Sequence, residues 1–492
     1  MFESAELGHK VANSVYKKRE PDLRMRLLDA QYDLLDQSRF PVIILINGVD
    51  GAGKGETVNL LNEWMDPRHI QTQGFPPPND EELSRPRMWR FWRALPPRGR
   101  LGIFFGSWYT EPILQKVAGA IDDSQLDQRV DEIVRFERML TNEGALVLKF
   151  WFHLSKATQR KRLKALEKDP DTRWRVSEAE WEHFKIYDKF RKVCDHVLRQ
   201  TGSAHAPWRI VEGLDANYRS LTVGDTLLAA LRERLDQKPN RRKTEPAPPL
   251  PPPVDGRNVI VSLDYSASLS KKKYNRELEK WQGRLNLLSR HKKFRRHSVV
   301  AVFEGSDAAG KGGAIRRVVW ALDARYYQVV PIAAPTDEER AQPYLWRFWR
   351  KLPQHGRFAI FDRSWYGRVL VERVENLCSE VDWMRAYGEI NDFETQMVEH
   401  GAVVAKFWLA ITKEEQLKRF KARKQIGYKR FKITEEDWRN RKKWQQYENA
   451  ACDMIDRTST EIAPWTVLSA NDKLHARIVV LKTLCDAIEA RI

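Results

Sequence analysis

The stretch that decides the fold is residues 298–313, SVVAVFEGSDAAGKGG. Its first part is a mostly apolar, β-branched run, which is typical of a strand buried on both faces of a parallel sheet. The glycine-rich part, GSDAAGKGG at residues 305–313, follows directly. Glycines there allow successive backbone N–H groups to close around phosphate oxygens at the start of a helix. The stretch therefore predicts a strand, a phosphate-binding loop and a helix in succession.

Nearly the same loop occurs earlier in the chain, as GVDGAGKGE at residues 48–56. The two halves match at an almost constant offset of 257 residues: WRFWRALPPRGRLGIFFGSWY from Trp89 corresponds to WRFWRKLPQHGRFAIFDRSWY from Trp346. A repeat of this length indicates two copies of one domain. Because short apolar runs alternate with longer helical stretches in each copy, the predicted fold is α/β, with two tandem P-loop kinase-like domains. Each would be a parallel sheet flanked by helices, with a helical lid.

A proline-rich segment, QKPNRRKTEPAPPLPPP at residues 237–253, separates the two copies. Proline fixes φ and removes a hydrogen-bond donor, so this segment is predicted to be an exposed, fairly stiff linker. The predicted domains are therefore residues 1–236 and residues 254–492.

The formal net charge of +18 is distributed unevenly. Residues 1–236 hold 37 Lys and Arg against 35 Asp and Glu, whereas residues 254–492 hold 44 against 31. A positive excess of this size favours a polyanionic partner, because it raises the local concentration of the anion and releases its counterions. Charge alone fits a solvated basic surface equally well.

Targeting and cysteine patterns indicate an ordinary intracellular protein. There is no run of 18 apolar residues, and the start, MFESAELGHK, lacks the features of a signal peptide, so a cytoplasmic location and no membrane partner are expected. The four cysteines have no CxxC spacing, which suggests neither a zinc site nor a disulfide framework.

The loop of the second copy departs from the usual phosphate-binding motif at one position. Lys311 can reach the terminal phosphates, but the Ser or Thr that normally follows the lysine and ligates Mg²⁺ is Gly312. A carboxylate must take over the metal. The predicted metal ligands are Asp307, inside the loop, and Asp362, at the end of the predicted strand FAIFD.

Two arginines follow the strand-end carboxylate. Arg363 and Arg368 suit a phosphoryl group that passes through a charge-rich transition state, although a surface salt bridge is an alternative. The predicted catalytic residues are therefore Asp307, Lys311, Asp362, Arg363 and Arg368. The predicted phosphate-binding residues of the loop and the following helix are Gly305, Ala309, Gly310, Gly312, Gly313, Arg316 and Arg317.

Residues 420–443, FKARKQIGYKRFKITEEDWRNRKK, hold ten basic and three acidic residues. A segment this basic, between two strands of a phosphate-binding domain, is interpreted as a lid over a phosphate substrate. A solvated helical face explains the charge equally well. The predicted substrate-binding residues of the lid are Arg423, Lys424, Lys429, Arg430 and Lys432.

Aromatic residues cluster near the strand-end motif. Trp346, Phe348, Trp349, Trp365 and Tyr366 could stack on a nucleotide base. Aromatic clusters of this kind more often belong to the core, and that interpretation is preferred.

With these motifs in place, the second copy resembles the polyphosphate kinase 2 family. The matching stretches are GSDAAGKGG, WRFWRKLPQHGRFAIFDRSWYGRVLVERVE, RFKITEEDWRNRKKWQQYENA and APWTVLSANDKLHAR. They cover most of residues 295–477. The tandem arrangement resembles the two-domain class of that family, which is associated with phosphorylating AMP to ADP from inorganic polyphosphate.

The resemblance implies a Mg²⁺-dependent and in principle reversible transfer between the end of a polyphosphate chain and a nucleotide. Lys311 and the backbone of Gly310 and Gly312 would hold phosphate. Asp307 and Asp362 would hold metal or orient the attacking group, and the two arginines would stabilise the transferred phosphoryl. The implied partners are inorganic polyphosphate and AMP or ADP, without nucleic acid; the oligomeric state is open, a homo-oligomer included.

The first copy has kept the loop but not the strand-end motif. Asp50 and Lys54 remain in its loop, yet FDRSWYGR has become FFGSWYTE, so that Phe105, Gly106 and Glu111 replace the carboxylate and both arginines. The segment that matches the lid, residues 163–186, holds five basic and six acidic residues. The first copy is therefore expected to be catalytically degenerate.

Two other functions fit parts of the sequence. An ATP-dependent nucleoside monophosphate kinase also combines a P-loop, a later Asp-Arg pair and a basic lid, but Gly312 and the duplication argue against it. A nucleic-acid-binding protein would explain the sequence pI of about 9.6, but no RRM, KH or helix-turn-helix signature is present.

Overall fold

The structure, a computed structural model, describes residues 1–237, 258–425 and 435–492. The described residues form two compact units. One contains Met1–Pro78, 90–237 and Pro335–Trp346, and the other contains Asn79–Trp89, 258–334 and the described residues from Arg347 onwards. Of the predicted linker, residues 238–253 lie outside the described residues.

Five strands and ten helices lie in the described part of the first copy. The strands are β1 (Val42–Gly48), β2 (Ile70–Gly74), β3 (Leu101–Phe105), β4 (Leu146–His153) and β5 (Trp208–Glu212). The helices are α1 (Asn13–Gln37), α2 (Lys54–Trp64), α3 (Asp80–Leu83), α4 (Trp89–Ala94), α5 (Thr110–Ala118), α6 (Asp123–Asn142), α7 (Lys156–Lys168), α8 (Glu178–Lys185), α9 (Tyr187–Thr201) and α10 (Ala216–Asp236).

The described part of the second copy also contains five strands and ten helices. The strands are β6 (Ser298–Gly305), β7 (Tyr327–Pro331), β8 (Phe358–Asp362), β9 (Ala402–Ala410) and β10 (Trp465–Ser469). The helices are α11 (Lys271–Arg290), α12 (Lys311–Val319), α13 (Asp337–Arg340), α14 (Trp346–Trp349), α15 (Val371–Val374), α16 (Glu380–Glu399), α17 (Lys413–Gln425), α18 (Glu435–Lys442), α19 (Trp444–Thr458) and α20 (Lys473–Glu489).

Both sheets are parallel and have the same strand order. The first runs β2-β3-β1-β4-β5 and the second runs β7-β8-β6-β9-β10. The central strand of each sheet is the apolar run that precedes the glycine-rich loop, and all nine residues of β9 beside the second one are buried. The prediction of parallel sheets flanked by helices is confirmed. Within the described residues, no helix is long and apolar enough to cross a membrane.

The register of β6 with β8 positions the second phosphate loop. Phe303, near the end of β6, lies opposite Asp362, the last residue of β8. The backbone N–H of Arg363 then donates to the carbonyl of Phe303, at 3.1 Å. Because the carboxyl ends of parallel strands meet at one edge of a sheet, this register brings the loop after β6 and the charged residues after β8 together.

Candidate active site

The backbone of both loops requires glycine at the same two places. Gly305 has a φ of +138°, and a Cβ there would lie 2.2 Å from the carbonyl oxygen of Leu409. Gly310, directly before α12, has a φ of +109°. The matching glycines of the first copy, Gly48 and Gly53, also have positive φ, at +141° and +84°. The glycine-rich loops, residues 48–56 and 305–313, therefore have a similar backbone at these positions, and the loop alone does not distinguish the two copies.

Lys311 begins α12, and its side chain folds back over the loop. Its Nζ donates to the carbonyl of Gly305 at 2.7 Å. Burial lowers the pKa of Lys311, although the carboxylate of Asp307 acts in the opposite direction. Asp362 and Arg363 also act on this ammonium group electrostatically. The structure thus brings together four of the five predicted catalytic residues.

The carboxylate of Asp307 is held on both oxygens. Oδ1 lies 3.3 Å from Nη2 of Arg363, and Oδ2 accepts from Nδ2 of Asn440 at 2.9 Å. Asp362 is half-buried, and within the described residues its carboxylate has no hydrogen-bond or ion-pair partner, whereas its backbone carbonyl accepts from the N–H of Ile332 at 3.0 Å. Asp362 is therefore the carboxylate available to another ligand, whereas Asp307 is already engaged.

The donor set of the site fits a magnesium ion that also binds phosphate. The described residues contain no group of three or more His, Cys, Asp or Glu side chains arranged to hold a metal. Mg²⁺ commonly uses only one or two carboxylates and completes its octahedron with water and substrate phosphates. Asp362 and Asp307, which both act electrostatically on Lys311, supply that number of carboxylates.

Arg363 has an uncommon backbone conformation. Its φ is +65°, a region that non-glycine residues seldom occupy because the Cβ is crowded there. The matching residue of the first copy is Gly106, with a φ of +75°. The second copy therefore keeps an arginine at a position where the backbone favours glycine, and strain of this kind is concentrated at functional sites.

Two further site residues are absent from the sequence prediction. Glu304, the penultimate residue of β6, is buried, accepts from Oγ of Ser364 at 2.8 Å, and has its pKa raised by burial. Asn440 on α18 binds the loop carboxylate directly. Comparing the two copies could have pointed to Glu304, because the second copy has a carboxylate where the first copy has the uncharged Asn47. Asn440 occupies an ordinary polar position on a charged helix, so no pattern singled it out.

Arg368 pairs with a carboxylate that is not among the other predicted catalytic residues. Its Nε is 2.8 Å from Oε2 of Glu372, one helical turn along the chain. Its carbonyl faces Sγ of Cys378. The structure thus places this arginine in an ion pair beyond the strand-end turn, and its catalytic role stays a prediction.

The remaining predicted phosphate-binding residues lie on the loop and on α12. Gly312 is open, since a Cβ there would meet nothing within 4 Å. Ala309 is buried in the hydrophobic core below the loop. Arg316 is exposed, and Nη1 of Arg317 donates back to the carbonyl of Gly313 at 3.3 Å. The Arg317 side chain is therefore bonded to the backbone of its own helix, whereas Arg316 projects from the helix surface.

The predicted lid is described only in part. Arg423 and Lys424 lie on α17, and Nζ of Lys424 is 5.1 Å from the centre of the Trp438 ring, a cation–π contact. Lys429, Arg430 and Lys432 lie outside the described residues.

The cradle of the first copy is surrounded by ion pairs within that copy. Glu56, which replaces Gly313, is on the first turn of α2. Its carboxylate lies 2.5 Å from Arg219, 2.9 Å from Arg175 and 3.6 Å from Arg162. Three guanidinium groups beside this loop are therefore already paired with one carboxylate.

A buried polar network supports the strand-end turn in both copies. In the second copy, Glu394 accepts from Trp365 Nε1 and the Tyr366 hydroxyl at 3.0 and 2.6 Å, and Lys406 Nζ donates to it at 2.7 Å. In the first copy, Glu137 makes the matching contacts with Trp108, Tyr109 and Lys149. The first copy keeps this network although Phe105 and Gly106 stand where the second has Asp362 and Arg363, so the network supports the fold of both copies. The aromatic residues considered for base stacking are all buried, which confirms the interpretation that they belong to the core. They are Trp346, Phe348, Trp349, Trp365 and Tyr366.

Comparisons with known proteins identify the family of the chain. The family model described as Polyphosphate kinase 2 (PPK2) matches residues 10–239 and 268–492. A protein of Pseudomonas aeruginosa strain PAO1 named polyphosphate:AMP phosphotransferase is 59% identical over 490 residues, which cover 100% of this chain and 99% of that one. One of the same name from Pseudomonas syringae pv. tomato strain DC3000 is 56% identical over 489 residues, covering 99% and 98%.

The comparison of folds gives the same family. A crystal structure described as a polyphosphate kinase 2 from Pseudomonas aeruginosa has a TM-score of 0.91 and 57% sequence identity. The match covers 100% of this chain and 99% of that one. Phosphotransferases of the family generally need a divalent metal. Because the family model matches both tandem copies and two full-length relatives are 56% and 59% identical, the chain belongs to the polyphosphate kinase 2 family.

Proposed function

We propose that the chain transfers the terminal phosphate of inorganic polyphosphate to AMP, giving ADP, in a reaction that is reversible in principle. The observation that carries the proposal is the group formed by Lys311, Asp362 and Arg363 at the end of β6 and β8. The two named relatives act, by their names, on polyphosphate and AMP. Their full-length identity to this chain supports the same substrates here.

The proposed roles follow from the contacts. The backbone N–H groups of residues 305–313 and the ammonium of Lys311 hold the terminal phosphate of the donor. Arg363 adds positive charge where the equatorial oxygens of the transferred phosphoryl gather negative charge. The Asp362 carboxylate has no hydrogen-bond or ion-pair partner within the described residues, so we assign it to the metal. The Asp307 carboxylate, which Arg363 and Asn440 hold in place, is the second side chain we assign to the metal.

We propose Mg²⁺ as the metal. Asp307 and Asp362 would hold it, and bound Mg²⁺ would neutralise charge on the phosphates. The choice of Mg²⁺ rests on the hard oxygen ligands and on their small number, which leaves positions for phosphate oxygens.

We propose that the first copy does not catalyse the reaction. Phe105 and Gly106 replace the carboxylate and the arginine at the strand end. Glu56 adds a negative charge next to the loop and pairs with three arginines. A phosphate chain entering this cradle would meet that carboxylate and no strand-end arginine.

The experiment that tests the proposed function is ADP formation from labelled AMP by the desalted full-length protein. Long-chain polyphosphate or ATP is supplied as the only donor, with Mg²⁺ or with EDTA. We expect ADP with polyphosphate and Mg²⁺ and no product with EDTA. Turnover with ATP alone, and none with polyphosphate, would instead support an ATP-dependent nucleoside monophosphate kinase.

A further inference from the structure

A buried carboxylate beside the second loop has no ion-pair partner within the described residues. Glu304 is the penultimate residue of β6, directly before Gly305, and 5% of its surface is exposed. Its Oε1 accepts from Oγ of Ser364 at 2.8 Å. The carboxylate makes no other hydrogen bond in the part of the chain that the structure describes. Burial of a carboxylate without a paired cation is unfavourable, so this side chain indicates a positive ligand that the described residues do not supply.

The groups that act on Lys311 show the balance of charge at this place. Burial lowers the pKa of Lys311, whereas Asp307, Glu304 and Asp362 act in the opposite direction and Arg363 acts with burial. The ammonium of Lys311 is bonded to the backbone of the loop, and the guanidinium of Arg363 pairs with Asp307. Two cations therefore face three carboxylates, which leaves an excess of negative charge when all three acids are ionised.

The first copy shows that the fold does not need this charge. At the offset of 257 residues, Glu304 corresponds to Asn47 and Ser364 to Ser107. Oγ of Ser107 donates to Oδ1 of Asn47 at 3.2 Å, and both side chains are buried. A neutral amide therefore maintains the same contact between the central strand and the strand-end turn. The negative charge of Glu304 needs an explanation other than this hydrogen bond.

Mg²⁺ is the cation that the proposed reaction brings to this place. Asp307 and Asp362 are the carboxylates we assign as its ligands, and phosphate oxygens complete its shell. A charge buried near an ion changes the affinity for that ion even without contact, because the protein interior screens charge poorly. Burial raises the pKa of Glu304, and a divalent cation nearby favours the ionised carboxylate. The ion and the Glu304 carboxylate would therefore stabilise each other.

We propose that Glu304 strengthens the binding of Mg²⁺ through its charge, as a third carboxylate that does not ligate the ion. The same charge opposes the binding of phosphate until the metal is present. Glu304 thus makes the binding of a phosphate chain at the second loop dependent on Mg²⁺. This inference rests on the proposed function, because it concerns the metal of the same site.

The test compares the full-length wild type with E304Q, which keeps an acceptor for the Ser364 hydroxyl and removes the charge. The charge-matched control is E380Q, because Glu380 is an exposed acid on α16 of the same copy. Binding of Mn²⁺, a probe for Mg²⁺, is measured by electron paramagnetic resonance without nucleotide or polyphosphate. Binding of tripolyphosphate is measured by calorimetry in EDTA. Neither measurement needs turnover, so both remain valid if the proposed reaction fails.

We expect E304Q to bind Mn²⁺ about 10-fold more weakly and to bind tripolyphosphate in EDTA about 3-fold more tightly, because one buried negative charge is gone. E380Q should behave as the wild type in both measurements. A merely structural role of Glu304 would weaken the binding of both ligands, so the opposite shifts identify the charge. Unchanged affinity for Mn²⁺, or a loss of affinity for both ligands, would overturn the inference.

Two further variants keep the test decisive if E304Q does not fold. E304N introduces the amide that pairs with a serine in the first copy, and it should show the same two shifts as E304Q. E304D keeps the charge and should bind Mn²⁺ more tightly than E304N does. Equal affinities of E304D and E304N for Mn²⁺ would overturn the inference, and so would the failure of every neutral variant to fold, since the charge would then serve the fold.

Discussion

At the scale of single residues, Arg363 has a side chain that suits the proposed reaction and a backbone conformation that favours glycine. Its left-handed φ of +65° crowds the Cβ, and the first copy has glycine at the matching place. We predict that R363G and R363A both lose at least about 100-fold in kcat, a loss typical of removing one preorganised group that stabilises transition-state charge.

Stability should separate these two variants. Glycine relieves the crowding that alanine retains, so we expect R363G to be more stable than R363A by about 1 kcal/mol in the free energy of unfolding. Equal free energies of unfolding of R363G and R363A in urea denaturation would show that the backbone at position 363 is not strained by a Cβ. Substantial activity in R363G would remove Arg363 from the reaction.

Lys473 gives a prediction about pH. Partial burial, together with Arg419, Arg423 and Arg477, lowers the pKa of Lys473 to about 8, against the opposing effect of Glu415. Its Cγ would lie 4.0 Å from a Cβ on Gly310 of the glycine-rich loop, and its positive charge is present below about pH 8 and is lost above it. We expect the affinity for long-chain polyphosphate to weaken between pH 7 and 9 in the wild type.

The matched variant for this prediction is K473R, which keeps the positive charge but does not titrate in this range. Its affinity should change less between pH 7 and 9 than that of the wild type, as measured by calorimetry. Identical pH profiles for the two proteins would exclude Lys473 as the titrating group.

Most residues of the proposed site could be singled out in the sequence, because their types and places suit the proposed chemistry. Lys311, Asp307 and Asp362 follow from a loop after a strand and an acid at a strand end. The sequence could not reveal that Asp307 is engaged by Asn440, which lies 133 positions away. It also could not separate Arg368 from Arg363, because the two differ in backbone geometry and ion pairing, not in residue type.

At the scale of secondary-structure elements, the buried network after β3 and β8 holds the strand-end turns. Glu394 contacts Lys406, Tyr366 and Trp365 in the interior, and Glu137 does the same in the first copy. Replacing one partner of a buried ion pair leaves an uncompensated charge, which costs about 3–5 kcal/mol. We therefore predict that E394Q and E137Q each lower stability by about this amount.

Activity should separate these two variants at a temperature where both are folded. E394Q disturbs the turn beside Arg363 and should lose activity, whereas E137Q lies in the copy we propose to be inactive and should keep most of it. A scanning calorimetry measurement gives the stabilities, and activity is assayed well below both transitions. Full loss of activity in folded E137Q would contradict the proposal for the first copy.

The α2 helix of the first copy leads to a second element-scale prediction. Glu56 pairs with Arg162, Arg175 and Arg219 beside the first loop. In a K311A background, which weakens the second cradle, we expect E56Q to increase the affinity for tripolyphosphate about 10-fold, because three guanidinium groups lose their shared carboxylate. Calorimetry measures the change, and E63Q, on the same helix, is the charge-matched control. Equal affinities of E56Q and E63Q for tripolyphosphate would show that Glu56 does not prevent anion binding at the first loop.

The apolar runs and the glycines predicted four strands of each sheet and the loop after the central strand. They missed the edge strands β2 and β7, whose residues are mostly exposed, and they did not predict the ion pairs around Glu56. Arg219 lies 163 positions from Glu56, so their contact depends on how α10 returns to α2. The sequence shows that the first copy lacks the strand-end carboxylate and arginine. The structure adds that the Glu56 carboxylate pairs with three arginines beside its loop.

At the scale of the whole molecule, the duplication gives each half a five-stranded parallel sheet of the same order. The internal repeat and the apolar runs were sufficient to predict two parallel sheets flanked by helices, but not the order of the strands. The charges around the two loops differ. The second copy combines Asp362, Arg363, Lys473 and Arg477 around its loop, and the first has uncharged residues at all four places.

The most direct test of this one-site proposal compares three full-length proteins in ADP formation from AMP, Mg²⁺ and long-chain polyphosphate without ATP. They are the wild type, D362A and K54A, each shown to be folded by circular dichroism. We expect an active wild type, an inactive D362A and a K54A variant that keeps most of the activity. If folded K54A is as inactive as D362A, the first cradle takes part in the reaction and the one-site proposal is wrong.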